Sequence, residues 1–205
     1  MTQYPDKIIN IHAHSNLPQA IRNIRLGVES IPENSGPVSV GIHPWDIPAV
    51  NSAEILMQLP EMIASDRNIV AIGETGLDAL RGAGLDTQNT IFVRHALIAD
   101  KAGLPLIIHS VKSFHKILEL HKKLRPSSSW AIHGFRGKAV MMAALHAAGI
   151  YTSIGQHVPR YLLQKELPQG IDPSLILAET DEGTELPELP LDIAENTATF
   201  LNIQR

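Results

Sequence analysis

The sequence lacks the features that would mark several classes of protein. It contains no cysteine in 205 residues, which excludes disulfides, thiolate catalysis and cysteine-based zinc sites. It has no apolar run long enough to span a bilayer. Residues 1–7 also lack the apolar core of a signal peptide. We therefore predict a cytoplasmic protein with no membrane association.

Positive charge is also scarce. Seventeen Lys and Arg residues stand against 21 Asp and Glu residues, for a net charge of −4, and no basic run stands out. This balance argues against broad, charge-driven binding of duplex nucleic acid, which needs a basic face. A phosphorylated substrate remains compatible, because bound metal ions would add positive charge of their own. The sequence has no Walker loop, no Gly-x-Gly-x-x-Gly turn and no serine nucleophile elbow, so its chemistry must come from other residues.

Short apolar runs rich in isoleucine and valine recur along the chain, separated by stretches with helical periodicity. Such runs are typical of strands buried on both faces of a sheet. Strands that alternate with helices imply right-handed βαβ units and a parallel sheet. We therefore predict an α/β fold, a small (β/α)8 TIM-type barrel forming a single domain over residues 1–205, with an abbreviated first βα unit. The side without its helix could expose apolar surface, so we expect a monomer or a weak homodimer.

The same patterns give the boundaries of the elements. Eight strands are predicted, over residues 7–11, 25–30, 38–42, 69–73, 105–108, 129–132, 150–154 and 175–179. Helices are predicted over residues 51–65, 86–102, 113–124, 137–148, 160–165 and 191–201, with a helical turn over 18–24.

Six side chains that can bind metal directly follow the predicted strands. Taken singly, each has another explanation: a histidine in a solvated loop, a carboxylate that caps a helix, or a hydrogen-bonded core histidine. Their shared position favours a common site, because residues at the downstream ends of strands in a closed parallel barrel converge at one mouth. The six are His12, His14, Glu74, His109, His133 and Asp181.

This mixture of ligands suits a pair of divalent ions, with Zn, Mn or Mg as candidates. Neutral imidazoles bind such ions, and a carboxylate such as Glu74 can bridge two of them. Two divalent ions offset by two carboxylates leave about two positive charges, which suits a developing phosphoryl charge. A metal-bound water titrates near pH ~7 and supplies hydroxide. Asp181 could bind an ion and also accept a proton from that water.

The same positions carry a family resemblance. The segments 10–14, 41–44, 71–78, 106–110, 133–137 and 179–181 resemble, in order, motifs of the TatD-like metal-dependent hydrolases, barrel enzymes of the amidohydrolase type often described as deoxyribonucleases. The most specific of these motifs is Gly-Glu-x-Gly-Leu-Asp at 73–78. The resemblance implies a phosphodiester substrate such as DNA. It also implies one ion on His12, His14, Glu74 and Asp181, and a second on Glu74, His109 and His133.

Several residues around these motifs bear on the substrate. His43 ends a strand and could touch substrate, and Lys112 and Arg136 lie just beyond ligand positions, where they could hold a phosphate. A structural or solvated role is open for each of the three. Trp45 stands where the family often has a histidine, and Glu182 would add a negative charge near the mouth that opposes a polyanionic strand.

We predict a metal-dependent hydrolase that attacks an ester, in the first instance a phosphodiester, through a metal-bound hydroxide, with Glu74 and Asp181 as the catalytic carboxylates. The same metal pair would also suit a small amide, ester or lactone. A third interpretation is a metal-binding scaffold without catalysis.

Overall fold

Residues 8–202 are described by the structure, a computed structural model, and they contain an eight-stranded sheet in which every strand runs parallel to the next one in the chain. The strands are β1 (Asn10–Ala13), β2 (Ala20–Arg25), β3 (Val38–Gly41), β4 (Ile69–Asp78), β5 (Leu106–Val111), β6 (Trp130–Ile132), β7 (Tyr151–Ile154) and β8 (Ile176–Ala178). The helices are α1 (Ser52–Ser65), α2 (Leu85–Ala102), α3 (Phe114–Leu124), α4 (Ala139–Ala147) and α5 (Ile193–Phe200). Two short 3-10 helices, Arg160–Leu163 and Pro173–Leu175, lie between β7 and β8.

The sheet closes on itself at the downstream ends of its first and last strands. The carbonyl of His12 accepts hydrogen bonds from the backbone N–H groups of Thr180 (3.3 Å) and Asp181 (3.0 Å), and the N–H of His14 donates to the carbonyl of Asp181 (3.1 Å). The predicted (β/α)8 barrel is therefore confirmed.

Residue 7, the predicted start of the first strand, lies outside the described residues, as do the rest of the segment 1–7 and residues 203–205.

The barrel interior has an apolar layer with a polar layer above it. Side chains two positions apart in a strand point to the same side, so an apolar residue in one layer is followed by a polar residue in the next. Tyr151 and Phe200, the latter from α5, complete the apolar layer. The successive pairs are Ile107 and His109, Ala131 and His133, and Leu177 and Glu179.

The abbreviation of the barrel extends further than predicted. Only residues 14–19 connect β1 to β2, and β2 is also joined to β3 without a helix. The first helix, α1, therefore follows β3.

Among residues 8–202, none of the helices combines the length and the hydropathy needed to cross a bilayer.

The second strand was predicted in the wrong place. It spans Ala20–Arg25, where a helical turn was expected, and it ends where the predicted strand 25–30 was to begin. Ile21 and Ile24 are both fully buried and lie on opposite faces of this strand. The residue that breaks the apolar alternation, Asn23, is fully buried because its side chain faces into the barrel.

Candidate metal centre

Glu74 stands at the middle of the barrel mouth, and one of its oxygens faces three histidines. Glu74 Oε1 lies 2.7 Å from His109 Nδ1, 2.8 Å from His133 Nε2 and 3.2 Å from His43 Nε2. These side chains come from β5 and from the residues just beyond β6 and β3. We call His43, His109 and His133 the Oε1 group.

The other oxygen faces a second set of donors. Glu74 Oε2 lies 3.5 Å from His12 Nε2 and 3.9 Å from His14 Nε2. Asp181 completes this set, with its Oδ1 at 3.4 Å from His14 Nε2 and 3.8 Å from His12 Nε2. We call His12, His14 and Asp181 the Oε2 group. The structure thus brings all six predicted ligands together around one carboxylate.

The backbone of β4 explains how Glu74 reaches both groups. The strand continues to Asp78, so Glu74 lies inside it. The prediction that the strand ends at residue 73, directly before Glu74, was wrong. Gly73 and Gly76 adopt positive φ, and a Cβ at these positions would clash with the carbonyl oxygens of Ile107 and His109. Glycine is therefore required for β4 to lie against β5 at this point.

Asn23 is a residue of the site that the sequence did not single out. Its Oδ1 accepts a hydrogen bond of 2.6 Å from the backbone N–H of Glu74, and it is fully buried in β2. Ser39 Oγ lies 3.4 Å from the same oxygen. Asn23 therefore fixes the backbone from which the central carboxylate projects. Its contacts come from β3 and β4, which explains why no local pattern revealed it.

Glu179 is another residue whose role had not been predicted. It is fully buried, its Oε2 accepts a hydrogen bond of 2.6 Å from Ser153 Oγ, and its Oε1 lies 3.4 Å from His133 Nδ1. A carboxylate beside one ring nitrogen orients the imidazole and directs the other nitrogen towards a metal. The alternation 177, 179, 181, which begins in β8 and continues past its end, could have identified this residue as inward-facing.

The polar atoms of the site fit a divalent cation. Neither ring nitrogen of His12 has a hydrogen-bond partner although the side chain is fully buried, a state that costs about 1–3 kcal/mol unless the group is satisfied. The side chains of His12, His14 and Glu74 each offer a ligand atom within 4.8 Å of the others. His43, Glu74 and His109 do the same on the other side. Imidazole nitrogens and carboxylate oxygens are suitable ligands for zinc and manganese.

The charge states of Glu74 and His12 favour cation binding, whereas His133 must release a proton before it can bind an ion. Burial opposes ionisation of Glu74, but His133 and the other imidazoles of the Oε1 group outweigh it and hold the pKa of this carboxyl well below its usual value. Burial and the neighbouring His133 lower the pKa of His12 to about 4, which keeps its imidazole neutral and able to ligate. Burial lowers the pKa of His133, but Glu74 and Glu179 raise it well above 6.5.

The residues predicted to contact substrate lie in different environments. His43 is buried inside the Oε1 group, deeper than a substrate contact would require. Arg136 is exposed and lines a cavity of about 300 Å³ together with Asp181 and Glu182. Lys112 is exposed at the end of β5 and is not part of the lining of that cavity. A substrate-binding role stays a prediction for all three.

In closed parallel barrels the active site lies at the downstream ends of the strands, which is where this chain carries its histidines and carboxylates. The family model described as "TatD related DNase" matches residues 6–192. The chain therefore belongs to the TatD family.

Individual relatives agree with this assignment. The chain is 27% identical over 152 residues to an uncharacterized metal-dependent hydrolase, TatD, of Mycobacterium tuberculosis, and 25% identical over 153 residues to the human deoxyribonuclease TATDN3. These matches cover 70% and 72% of the chain, and the chain spans 56% of each relative's length.

Solved structures show the same fold. The TatD homologue YjjV of Escherichia coli K12 has a TM-score of 0.63 and 20% identity, with 91% of this chain and 78% of that chain covered. A TatD family hydrolase of Entamoeba histolytica has a TM-score of 0.65 and 17% identity, with 87% and 74% covered.

Proposed function

We propose that the protein hydrolyses phosphodiester bonds, as in DNA, with two divalent metal ions held on the two sides of Glu74. The observation that carries the proposal is the position of this carboxylate, whose two oxygens face two separate sets of donors. One ion would be held by Glu74 with the Oε2 group, and the other by Glu74 with His109 and His133, with His43 close by. Bound ions of this kind polarise an ester oxygen and lower the pKa of water from about 15.7 towards ~7.

The proton chemistry falls to Asp181. Its hydrogen bond with His14 holds the pKa of this carboxyl below its usual value, although burial opposes the shift. Asp181 is therefore ionised at neutral pH and can accept the proton of the attacking water. Its side chain is 34% exposed and borders the cavity beside the site, so water and substrate can reach it.

Arg136 provides a place for the phosphate. Its guanidinium can donate two parallel hydrogen bonds to phosphate oxygens. Arg136 lines the same cavity as Asp181, so a phosphodiester held there would lie next to the carboxylate that takes the proton. As the bond between phosphorus and the leaving oxygen breaks, that oxygen would take up the proton from Asp181 or from water and depart as an alcohol.

A second candidate is the hydrolysis of a small amide, ester or lactone on the same site. The observation in its favour is Glu182, whose exposed carboxylate lies 3.8 Å from His14 Nε2 and lines the cavity. A negative charge at this point disfavours a polyanionic strand and would not disfavour a neutral substrate.

Turnover assays on protein loaded separately with Zn²⁺, Mn²⁺ or Mg²⁺ test the proposal. We expect release of nitrophenolate from bis(p-nitrophenyl) phosphate and cleavage of a labelled single-stranded oligonucleotide, both abolished by a chelator and restored by added metal. Turnover of lactones or amides, with neither phosphodiester cleaved under any metal, would replace the first candidate with the second. Metal binding without turnover of any of these substrates would contradict both.

A further inference from the structure

Trp45 is a partly exposed aromatic side chain beside the metal centre. Its exposed fraction is 41%, whereas Trp130, the other tryptophan, is fully buried. The indole ring meets His43 edge-on at a centroid distance of 4.8 Å and His109 at 5.8 Å. The ring therefore extends from the Oε1 group to solvent.

Asp78 fixes the orientation of this ring. Trp45 Nε1 donates a hydrogen bond of 2.7 Å to Asp78 Oδ2, and the same oxygen lies 3.3 Å from His109 Nε2. Asp78 Oδ1 accepts from the backbone N–H groups of Leu80 (2.8 Å) and Arg81 (3.1 Å). One buried carboxylate thus connects a histidine of the site, the indole and the loop that carries Arg81.

The guanidinium of Arg81 lies over the indole ring of Trp45. The Cζ atom of its guanidinium lies 4.8 Å from the centroid of the Trp45 ring, within the range of a cation–π contact. Arg81 is exposed. The pair therefore presents planar aromatic and guanidinium surfaces, together with donors for a phosphate, at the edge of a site whose other charges include several carboxylates.

We propose that Trp45 and Arg81 form the binding surface for the nucleobase next to the phosphate that is cleaved. This inference rests on the proposed phosphodiesterase function and specifies its substrate as single-stranded nucleic acid or a strand end. Aromatic and guanidinium planes bind bases by stacking, whatever their sequence. A base inside a duplex is already stacked on its neighbours, so only an unpaired or terminal base offers a free face.

The test compares two ligands on metal-loaded protein: thymidine 5′-monophosphate and deoxyribose 5-phosphate, which lacks the base. Neither contains a phosphodiester, so binding is measured apart from catalysis. By calorimetry we expect the nucleotide to bind about 10-fold more tightly, which is within the range of the effect of stacking one base. We also expect it to quench the fluorescence of Trp45, with buried Trp130 left as the internal reference.

A matched pair of variants isolates the aromatic face. Trp45→Phe and Trp45→Leu both lose the hydrogen bond to Asp78, and only the phenylalanine keeps a ring. We expect Trp45→Phe to retain most of the preference for the nucleotide and Trp45→Leu to lose it. Arg81→Gln should weaken nucleotide binding, and Arg94→Gln, the same change at an exposed position of α2, should not. The fluorescence of Trp130 reports whether each Trp45 variant is folded.

Equal affinity of the wild-type protein for the two ligands would overturn the inference, as would equal losses in Trp45→Phe and Trp45→Leu. Either result could occur in a protein that cleaves phosphodiesters, and would then refute the base-binding surface alone. Base-dependent binding without cleavage of any phosphodiester would instead refute the proposed function.

Discussion

The two sides of Glu74 differ in how tightly they hold it. The Oε1 group contacts this carboxylate at 2.7, 2.8 and 3.2 Å, and its side chains are between 6% and 11% exposed. In the Oε2 group the histidines lie 3.5 and 3.9 Å from the carboxylate. His14 and Asp181 in that group are 25% and 34% exposed.

This difference separates two tasks. Contacts under about 3.2 Å are hydrogen bonds, whereas polar atoms at about 3.6 Å or more are not. The Oε1 group therefore orients Glu74 through the protein's own hydrogen bonds, which an ion bound there would replace. The Oε2 group offers donors at a spacing that a shared cation would satisfy, and its Asp181 borders the cavity beside the site. The following predictions test this division, from the largest expected effect to the smallest.

Replacing the shared carboxylate should disable both sides. We expect Glu74→Gln to lower turnover of a phosphodiester by about 1000-fold, comparable to the loss of a preorganised electrostatic group, and to weaken metal binding at both sites. Steady-state kinetics and calorimetric metal titration measure the two effects. Glu119→Gln, an exposed position on α3, is the control for loss of a carboxylate. Loss of only one metal site would show that Glu74 does not bridge the two groups.

Replacing the exposed carboxylate should act on one side. In Asp181→Asn we expect kcat to fall by about 100-fold, because a positioned proton acceptor is lost, while metal binding by the Oε1 group persists. Metal titration together with kcat and KM separates the two outcomes. An unchanged kcat with metal bound would assign the proton to another group.

Glu179→Gln should weaken metal binding only at the Oε1 group. The amide keeps the shape of the side chain but removes the charge beside His133 Nδ1, so we expect metal affinity at the Oε1 group to fall by about 10-fold. Affinity at the Oε2 group should stay unchanged. Ser153→Ala, which removes the partner of the other Glu179 oxygen, should have a smaller effect. Equal weakening at both sites would indicate a general loss of structure and contradict this role.

The smallest effect concerns the framework behind the Oε1 group. His95 is fully buried, and its Nε2 accepts a hydrogen bond of 3.2 Å from the backbone N–H of Ile42, the residue before His43. Burial lowers the pKa of His95 to about 4. Between about pH 6.5 and 4 the unfolded chain therefore binds a proton that the native protein does not.

The free energy of unfolding of the metal-free protein should consequently fall as the pH drops through this range, with His95 contributing up to about 1.4 kcal/mol per pH unit. Its contribution is fully present above about pH 6.5. Urea unfolding at several pH values should show a shallower dependence in His95→Gln than in the wild type. His115→Gln, at an exposed position of α3, is the control. An identical pH dependence in both variants would contradict the assignment.

The amino-acid pattern revealed the donors because each follows an apolar run, and the ends of parallel strands must meet. It did not reveal the residues that hold these donors in position. Asn23 and Glu179 act on neighbours brought by other strands, and no spacing along the chain encodes those contacts. The misplaced second strand has the same origin, since the buried polar residue Asn23 interrupts the apolar alternation that marks a strand. His43 belongs to the Oε1 group because its Nε2 lies 3.2 Å from Glu74 Oε1. That distance is set by closure of the barrel and cannot be read from the sequence.

The seam between β1 and the residues after β8 also has a consequence for the order in which the protein can mature. Asn10 and Thr180, 170 positions apart, hydrogen-bond to each other there, and the Oε2 group draws ligands from both edges of the seam. A nascent chain that has not yet reached residue 181 has the two histidines of this group but lacks Asp181. An ion captured across the seam would add its binding free energy to barrel closure, so loading with metal and completing the fold would be one thermodynamic event.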